Sequence, residues 1–155
     1  MLKRVLVVGF GNPLRRDDGV GIQCVERLQA NINDPPVTFL TMFQPLPELV
    51  EWFKAVDKLI LVDASADLPA GVIERRQISC GDVRNGATHT ITIHWLLSLC
   101  NAVYGCAPET VIFTIGGLDF GYGEGLSAMI ELRLNRLVEY ITDEIQEVME
   151  VGDYA

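Results

Sequence analysis

The chain has 155 residues, 49% of them hydrophobic and 21% charged, a length that fits one domain and buries a core without disulfide or metal staples. Twelve Lys and Arg against 21 Asp and Glu leave a net charge of −9 at pH 7. Such a chain repels phosphate backbones and anionic lipid, which argues against nucleic acid and membrane partners and favours cations or basic protein surfaces. No apolar run approaches the roughly 20 residues of a membrane span.

The first element follows Lys3-Arg4. Val5–Val8 is too short for the hydrophobic region of a signal peptide and reads as the first strand of a cytoplasmic protein. It ends in Gly9-Phe10-Gly11-Asn12-Pro13. After Asp17-Asp18-Gly19 a helical period places Val20, Cys24, Val25 and Leu28 on one face, with Asp17 or Asp18 as its N-cap. A strand at Val37–Thr41 precedes a helix opened by Pro47, carrying Leu49, Val50, Phe53 and Val56. Lys58–Asp63 is a continuous apolar run of the kind buried on both faces of a sheet. A weaker strand follows at Val72–Gln77. Ile93, Leu96, Leu97, Cys100 and Val103 form a helical face stopped by Gly105. Thr110–Ile115 is a further buried strand. The last helix starts after Ser127, read as its N-cap, with Ile130, Leu134, Val138, Ile141, Ile145 and Val148 as its apolar stripe. Strands alternating with helices predict a single α/β domain over residues 1–155, three layers deep (α/β/α), with a twisted, largely parallel sheet of about five strands. Cys24, Cys80, Cys100 and Cys106 lack C-x-x-C spacing and read as reduced thiols.

In such a sheet the ligand site lies beyond the carboxyl ends of the strands. That singles out the Gly9–Gly21 loop, Asp63, and Gly116-Gly117. The first loop lacks the third glycine of a dinucleotide fingerprint, where Leu14 stands, and lacks a P-loop lysine. Its two aspartates at a helix start also disfavour the phosphates of a nucleotide-binding module. A metal site accounts for the acids better. One imidazole with two carboxylates makes a mixed N/O set suited to nickel, zinc, manganese or iron. Of the two histidines, five residues apart, only one is expected to join any site. His89 falls in a loop or first helical turn, where the helix dipole should lower its pKa and keep the imidazole neutral. His94 lies within the helix beside Trp95 and reads as structural. Asp18 as a cap, Asp63 as a turn residue and His89 bonded to backbone are the plainer alternatives. Arg15 and Arg16 read as solvated charges offsetting the aspartates. Covalent catalysis finds little support, since no serine sits in a convincing nucleophile elbow and a cysteine could pair with a histidine only through tertiary proximity that the sequence does not show.

Gly9-x-Gly11-Asn12-Pro13-Leu14-x-x-Asp17-Asp18-Gly19-x-Gly21 after an apolar strand resembles the N-terminal signature of the NiFe-hydrogenase maturation endopeptidases. Gln44-x-x-Pro47-Glu48-Leu49 leading to Leu59-Ile60-Leu61-Val62-Asp63-Ala64, Thr88-His89 with Ile93 and Leu96-Leu97, and Phe113-x-Ile115-Gly116-Gly117 with Gly123-Glu124-Gly125-Leu126-Ser127 resemble its further blocks, in order and over nearly the whole chain. The resemblance implies a hydrogenase-protease fold of the phosphorylase/hydrolase-like kind and an aspartyl-type endopeptidase. Its partner would be the precursor of the NiFe-hydrogenase large subunit, whose C-terminal extension is removed after nickel insertion. It places the nickel-binding and catalytic trio on Asp18, Asp63 and His89, the nickel being supplied by the precursor. Gly9, Gly11, Asn12, Gly116 and Gly117 would receive the substrate tail. The last block resembles members serving bidirectional, NAD-linked hydrogenases. This chain departs from the pattern in having aspartate at 18, where some members carry glutamate, and Ala87-Thr88 before the histidine, where serine is frequent; the latter leaves His94 as an alternative ligand. A non-catalytic nickel and precursor chaperone is the remaining rival.

Overall fold

The computed structural model describes residues 2–80 and 88–153. Five strands form one sheet: β1 (Val5–Phe10), β2 (Val37–Met42), β3 (Lys58–Ser65), β4 (Ile73–Ile78) and β5 (Glu109–Gly116), in the order β2-β1-β3-β5-β4. β1, β2, β3 and β5 are parallel, and β4 is an antiparallel edge strand on β5. The four helices among the described residues are α1 (Val20–Asn31), α2 (Leu49–Phe53), α3 (Thr88–Tyr104) and α4 (Ala128–Asp153), with a 3-10 turn at Arg16–Gly19 before α1. This is the expected three-layer, mostly parallel α/β/α architecture.

The two-residue alternation of the strands sorts the core into two layers. Val5, Val7, Ile60, Val62, Val111, Phe113 and Ile115 pack against α1 and α4. Leu6, Val8, Phe10, Leu59, Leu61 and Ile112 pack against α2 and α3. The same alternation puts Asp63 on the α2/α3 side, in line with Leu59 and Leu61. The helices differ in detail from their sequence patterns. Leu137, rather than Val138, is fully buried along α4, and Val103 at the end of α3 is 60% exposed.

One close approach fixes the first βα unit. A Cβ on Gly9 would lie 2.4 Å from the Gly21 carbonyl oxygen, and one on Gly21 would lie 2.7 Å from the carbonyl oxygens of Phe10 and Val62. Glycine at both positions lets α1 seat directly on β1 and β3. The loop that follows β1 is thereby held at the carboxyl end of the sheet.

Candidate functional site

The carboxyl ends of β1, β3 and β5 carry the groups that the sequence singles out. Asp63, 6% exposed, projects from the end of β3. His89 stands in the first turn of α3, above Phe10 with ring centroids 6.2 Å apart. The His89 Nδ1–H donates to Asp63 Oδ2 at 2.6 Å, while Asp63 Oδ1 accepts from the Ala64 amide at 2.9 Å. The second ring nitrogen, Nε2, has no hydrogen bond among the described residues, and the His89 side chain is 36% exposed. The pair therefore offers a buried carboxylate that orients an imidazole, with one nitrogen directed away from it.

The charge state follows from this contact. Burial pushes the Asp63 carboxyl up from its ordinary range; the His89 hydrogen bond opposes that, and the nearby negative charge of Asp18 adds to it. The hydrogen bond to Asp63 raises His89, against the effect of burial, and the charges of Asp63 and Asp18 raise it further. The expectation that the helix dipole lowers the His89 pKa is overturned: an acid in hydrogen-bond contact outweighs the half-charge of a helix end.

Asp18 is close enough to act electrostatically on both partners, but its own Oδ2 is turned to the Asn12 amide at 2.8 Å. Among the described residues no three His, Cys, Asp or Glu side chains are gathered around a point where one ion would bind. The structure thus brings Asp63 and His89 into contact and Asp18 into their vicinity. Three ligands already closed on a common centre are not what it has. The donor set suits a cation nonetheless: two carboxylates and an imidazole, with Asp63 ionised only against a cost that a cation would relieve.

Neither Asp17 nor Asp18 caps α1, whose N-cap is Gly19 and lacks a side-chain capping bond. Asp17 has a different task, which the sequence pattern did not show. Fully buried, its carboxylate accepts from the amides of Leu118, Asp119 and Ser127 and from the Ser127 hydroxyl, at 2.7 to 2.9 Å. Burial acts to raise its pKa, but the bonds from Ser127, Asp119 and Leu118 prevail and hold it below the ordinary carboxylate value. Ser127 precedes α4 as expected, yet its hydroxyl serves Asp17 instead of the helix amides. Asp17 so ties the turn that presents Asp18 to the loop after β5 and the start of α4. Arg15 and Arg16, expected as solvated charges, reinforce this tie. Arg15 donates twice to the Phe120 carbonyl, at 3.0 and 3.2 Å, and Arg16 approaches Asp119 at 3.5 Å.

Gly11 adopts φ +142°, and a Cβ there would lie 1.9 Å from the Asp18 carbonyl oxygen. Asn12 accepts the Leu14 amide on Oδ1 at 2.9 Å. Gly116 is packed on the Pro69 carbonyl and Gly117 on the Phe120 ring. The room left by each glycine, Gly9 included, is filled by the protein's own atoms, so each has a structural reason to be glycine. His94, buried and remote in role, bonds through Nδ1 to the Ser79 carbonyl at 2.9 Å, fastening α3 to the end of β4. Ala87, part of the histidine block, lies outside the described residues.

Solved structures match the fold over nearly its whole length. HycI, a [NiFe] hydrogenase maturation protease from Thermococcus kodakarensis, aligns with a TM-score of 0.73 at 24% identity, covering 94% of each chain. The fold is that of the hydrogenase maturation endopeptidases. The hydrogenase maturating endopeptidase HybD from E. coli shares that fold with a TM-score of 0.80 at 22% identity over 93% of each chain. An uncharacterized protein from Wolinella succinogenes has it too, with a TM-score of 0.66 at 25% identity, over 95% of this chain and 99% of that one. No family model matches the sequence, and no curated protein does. Among the described residues no helix is long and apolar enough to cross a membrane.

Proposed function

We propose that this protein is a hydrogenase maturation endopeptidase, a cytoplasmic peptidase that removes the C-terminal extension of the NiFe-hydrogenase large-subunit precursor once nickel is in place. The observation that carries this reading is the Asp63–His89 pair with Asp18 beside it, at the carboxyl end of a sheet with the endopeptidase fold. The Gly123–Ser127 block adds that the client belongs to a bidirectional, NAD-linked hydrogenase.

On this reading nickel arrives as part of the substrate. A cation entering between Asp18 and Asp63 offsets the burial of the Asp63 carboxylate and the repulsion from Asp18, which together raise the Asp63 pKa. It takes the place of the Nε2 proton of a charged His89, since a ligating imidazole must be neutral, leaving Nδ1–H on Asp63. His89 presents Nε2 while Asp63 fixes the ring. Asp18 moves its carboxylate only by releasing the Asn12 amide. With the metal gripped, the peptide beside it is held in register, and the ion polarises the carbonyl while the ion or a carboxylate beside it orients water for hydrolysis. Asn12 and the backbone at Gly9, Gly11, Gly116 and Gly117 border the path of the tail. A precursor without nickel lacks the bridging charge and binds weakly, so specificity is a difference in affinity produced by one ion.

The deciding experiment is mass spectrometry of the large subunit incubated with this protein, with and without nickel. Loss of the tail only from the nickel-loaded precursor is expected, and Asp18→Ala, Asp63→Ala and His89→Ala should each abolish it. Binding of metal and precursor with no change in mass would make the protein a chaperone; normal processing by all three variants would end the proposal.

A further inference from the structure

The two edges of the sheet differ in a way that the core does not require. β4, one edge, carries Glu74, Arg75 and Arg76, charges of the kind that discourage a further strand from pairing. β2, the other edge, reads Val37-Thr38-Phe39-Leu40-Thr41-Met42, with no charge, proline or glycine. Its direction can be read residue by residue. The carbonyls of Pro36 and Met42 accept from Val5 and Gly11 on the β1 side, so the even-numbered residues turn their backbone groups inward and Phe39 and Thr41 turn theirs outward. Those outward groups make no hydrogen bond among the described residues. The Thr41 side chain is exposed, and Phe43, immediately beyond, is 66% exposed. The strand therefore ends, apolar and unpaired, beside the Gly11–Asn12 loop that holds Asp18.

We propose that the free edge of β2 is a docking strand for an extended, uncharged peptide segment that adds parallel to it, and that this segment is the part of the precursor leading into the bond to be cut. The inference rests on the peptidase reading above. A parallel addition runs toward the carboxyl end of the sheet, where the site is. Strands are spaced by about 4.8 Å, so the added one lies about 14 Å from β3, a gap spanned by four to five extended residues at about 3.3 Å each. Backbone pairing supplies affinity with little demand on sequence, and the metal at the site supplies the selection.

Thr41→Pro removes one outward N–H without touching the β1 ladder, a position where an edge strand tolerates proline. With nickel-loaded large-subunit precursor as the probe, it should raise KM about three- to tenfold, the worth of one net hydrogen bond, with kcat and thermal midpoint retained. Thr41→Lys should act in the same direction. On Asp63→Asn, which leaves the precursor uncut and, having lost one metal ligand, is brought to full occupancy with excess nickel-loaded precursor, amide exchange at Phe39 and Thr41 should slow at least about tenfold in the complex. Unchanged KM in both variants, with cleavage by the wild type intact, overturns the docking strand and leaves the peptidase reading standing. Unprotected amides in the bound Asp63→Asn complex overturn it as well. A wild-type dimer that Thr41→Pro dissociates assigns the edge to a second copy instead. Failure of the wild type to cut the precursor removes both readings.

Discussion

Replacing Asp17 with alanine tests the tie that positions the site. The wild-type carboxylate is fully buried and accepts four hydrogen bonds, from three amides and one hydroxyl, at 2.7 to 2.9 Å. Hydrogen bonds to an ionised group contribute about 1.5–3 kcal/mol each, and a buried donor left unpaired costs about 1–3 kcal/mol. Leu118 and Asp119 are exposed, so after a small shift water reaches their amides and the lower end applies. The hydroxyl of Ser127 rotates to another acceptor at little cost. Three orphaned amides then give a loss of about 3 kcal/mol, against a total stability of roughly 5–15 kcal/mol for a domain. Urea unfolding followed by the fluorescence of Trp52 and Trp95 should show a midpoint lower by about 1–3 M at unchanged slope. Asp17→Asn should recover less than half, because its amide nitrogen faces donors and only one oxygen remains. The folded-state pKa of Asp17 lies below its ordinary 3.8, so the stability it supplies is present above that value and is lost as the pH falls through the folded one. The deficit of the alanine variant should accordingly shrink in acid. A variant within about 0.5 kcal/mol of wild type at neutral pH, or a deficit that ignores pH, would refute the role assigned here.

Other outcomes follow from the same structure. His89 has a folded-state pKa above its ordinary 6.5, so its contribution to stability is complete below 6.5 and is lost as the pH rises through the folded value; His89→Gln should cost more at pH 6 than at pH 9 in thermal unfolding. Asp63→Asn removes the principal cause of that shift, and the His89 ring resonances should titrate nearer the ordinary value; an unmoved titration would show that Asp63 is not the cause. Lys58, 5% exposed at its side chain, meets Glu144 at 3.1 Å and Glu109 at 3.0 Å, and Arg75 also pairs with Glu144 at 2.8 Å. Glu144→Ala should destabilise by about 3 kcal/mol, the lower end for breaking a buried pair, because Glu109 keeps Lys58 from being stranded. Cys24 is buried with its thiol pushed up to about 12, and Cys100 is also buried, whereas Cys80 and Cys106 are exposed; iodoacetamide should label only the latter two in the native protein.

The layered architecture was legible in the sequence because its signals are local. A run such as Leu59-Ile60-Leu61-Val62 and a stripe such as Ile130, Leu134, Ile141, Ile145 state their period within a few residues, and burial on two faces or one follows from it. Asp63 was also legible, since an acid closing a buried strand marks the carboxyl end of a parallel sheet. That His89 joins it in one site came from the family resemblance, but their direct hydrogen bond was not legible: the two lie 26 residues apart, and only the seating of α3 on the β3 side joins them. That contact, not the helix dipole, fixes the histidine's charge. As neighbours in a loop, Asp17 and Asp18 were indistinguishable by pattern alone, and only the resemblance to the endopeptidases pointed to Asp18. The tertiary fold separated them, burying Asp17 under amides more than 100 residues further along the chain and leaving its neighbour at the site. Sequence alone thus set the strands, the helices and the end of the sheet where chemistry belongs. Which side chains face one another there depends on contacts between distant segments, whose partners no local pattern records.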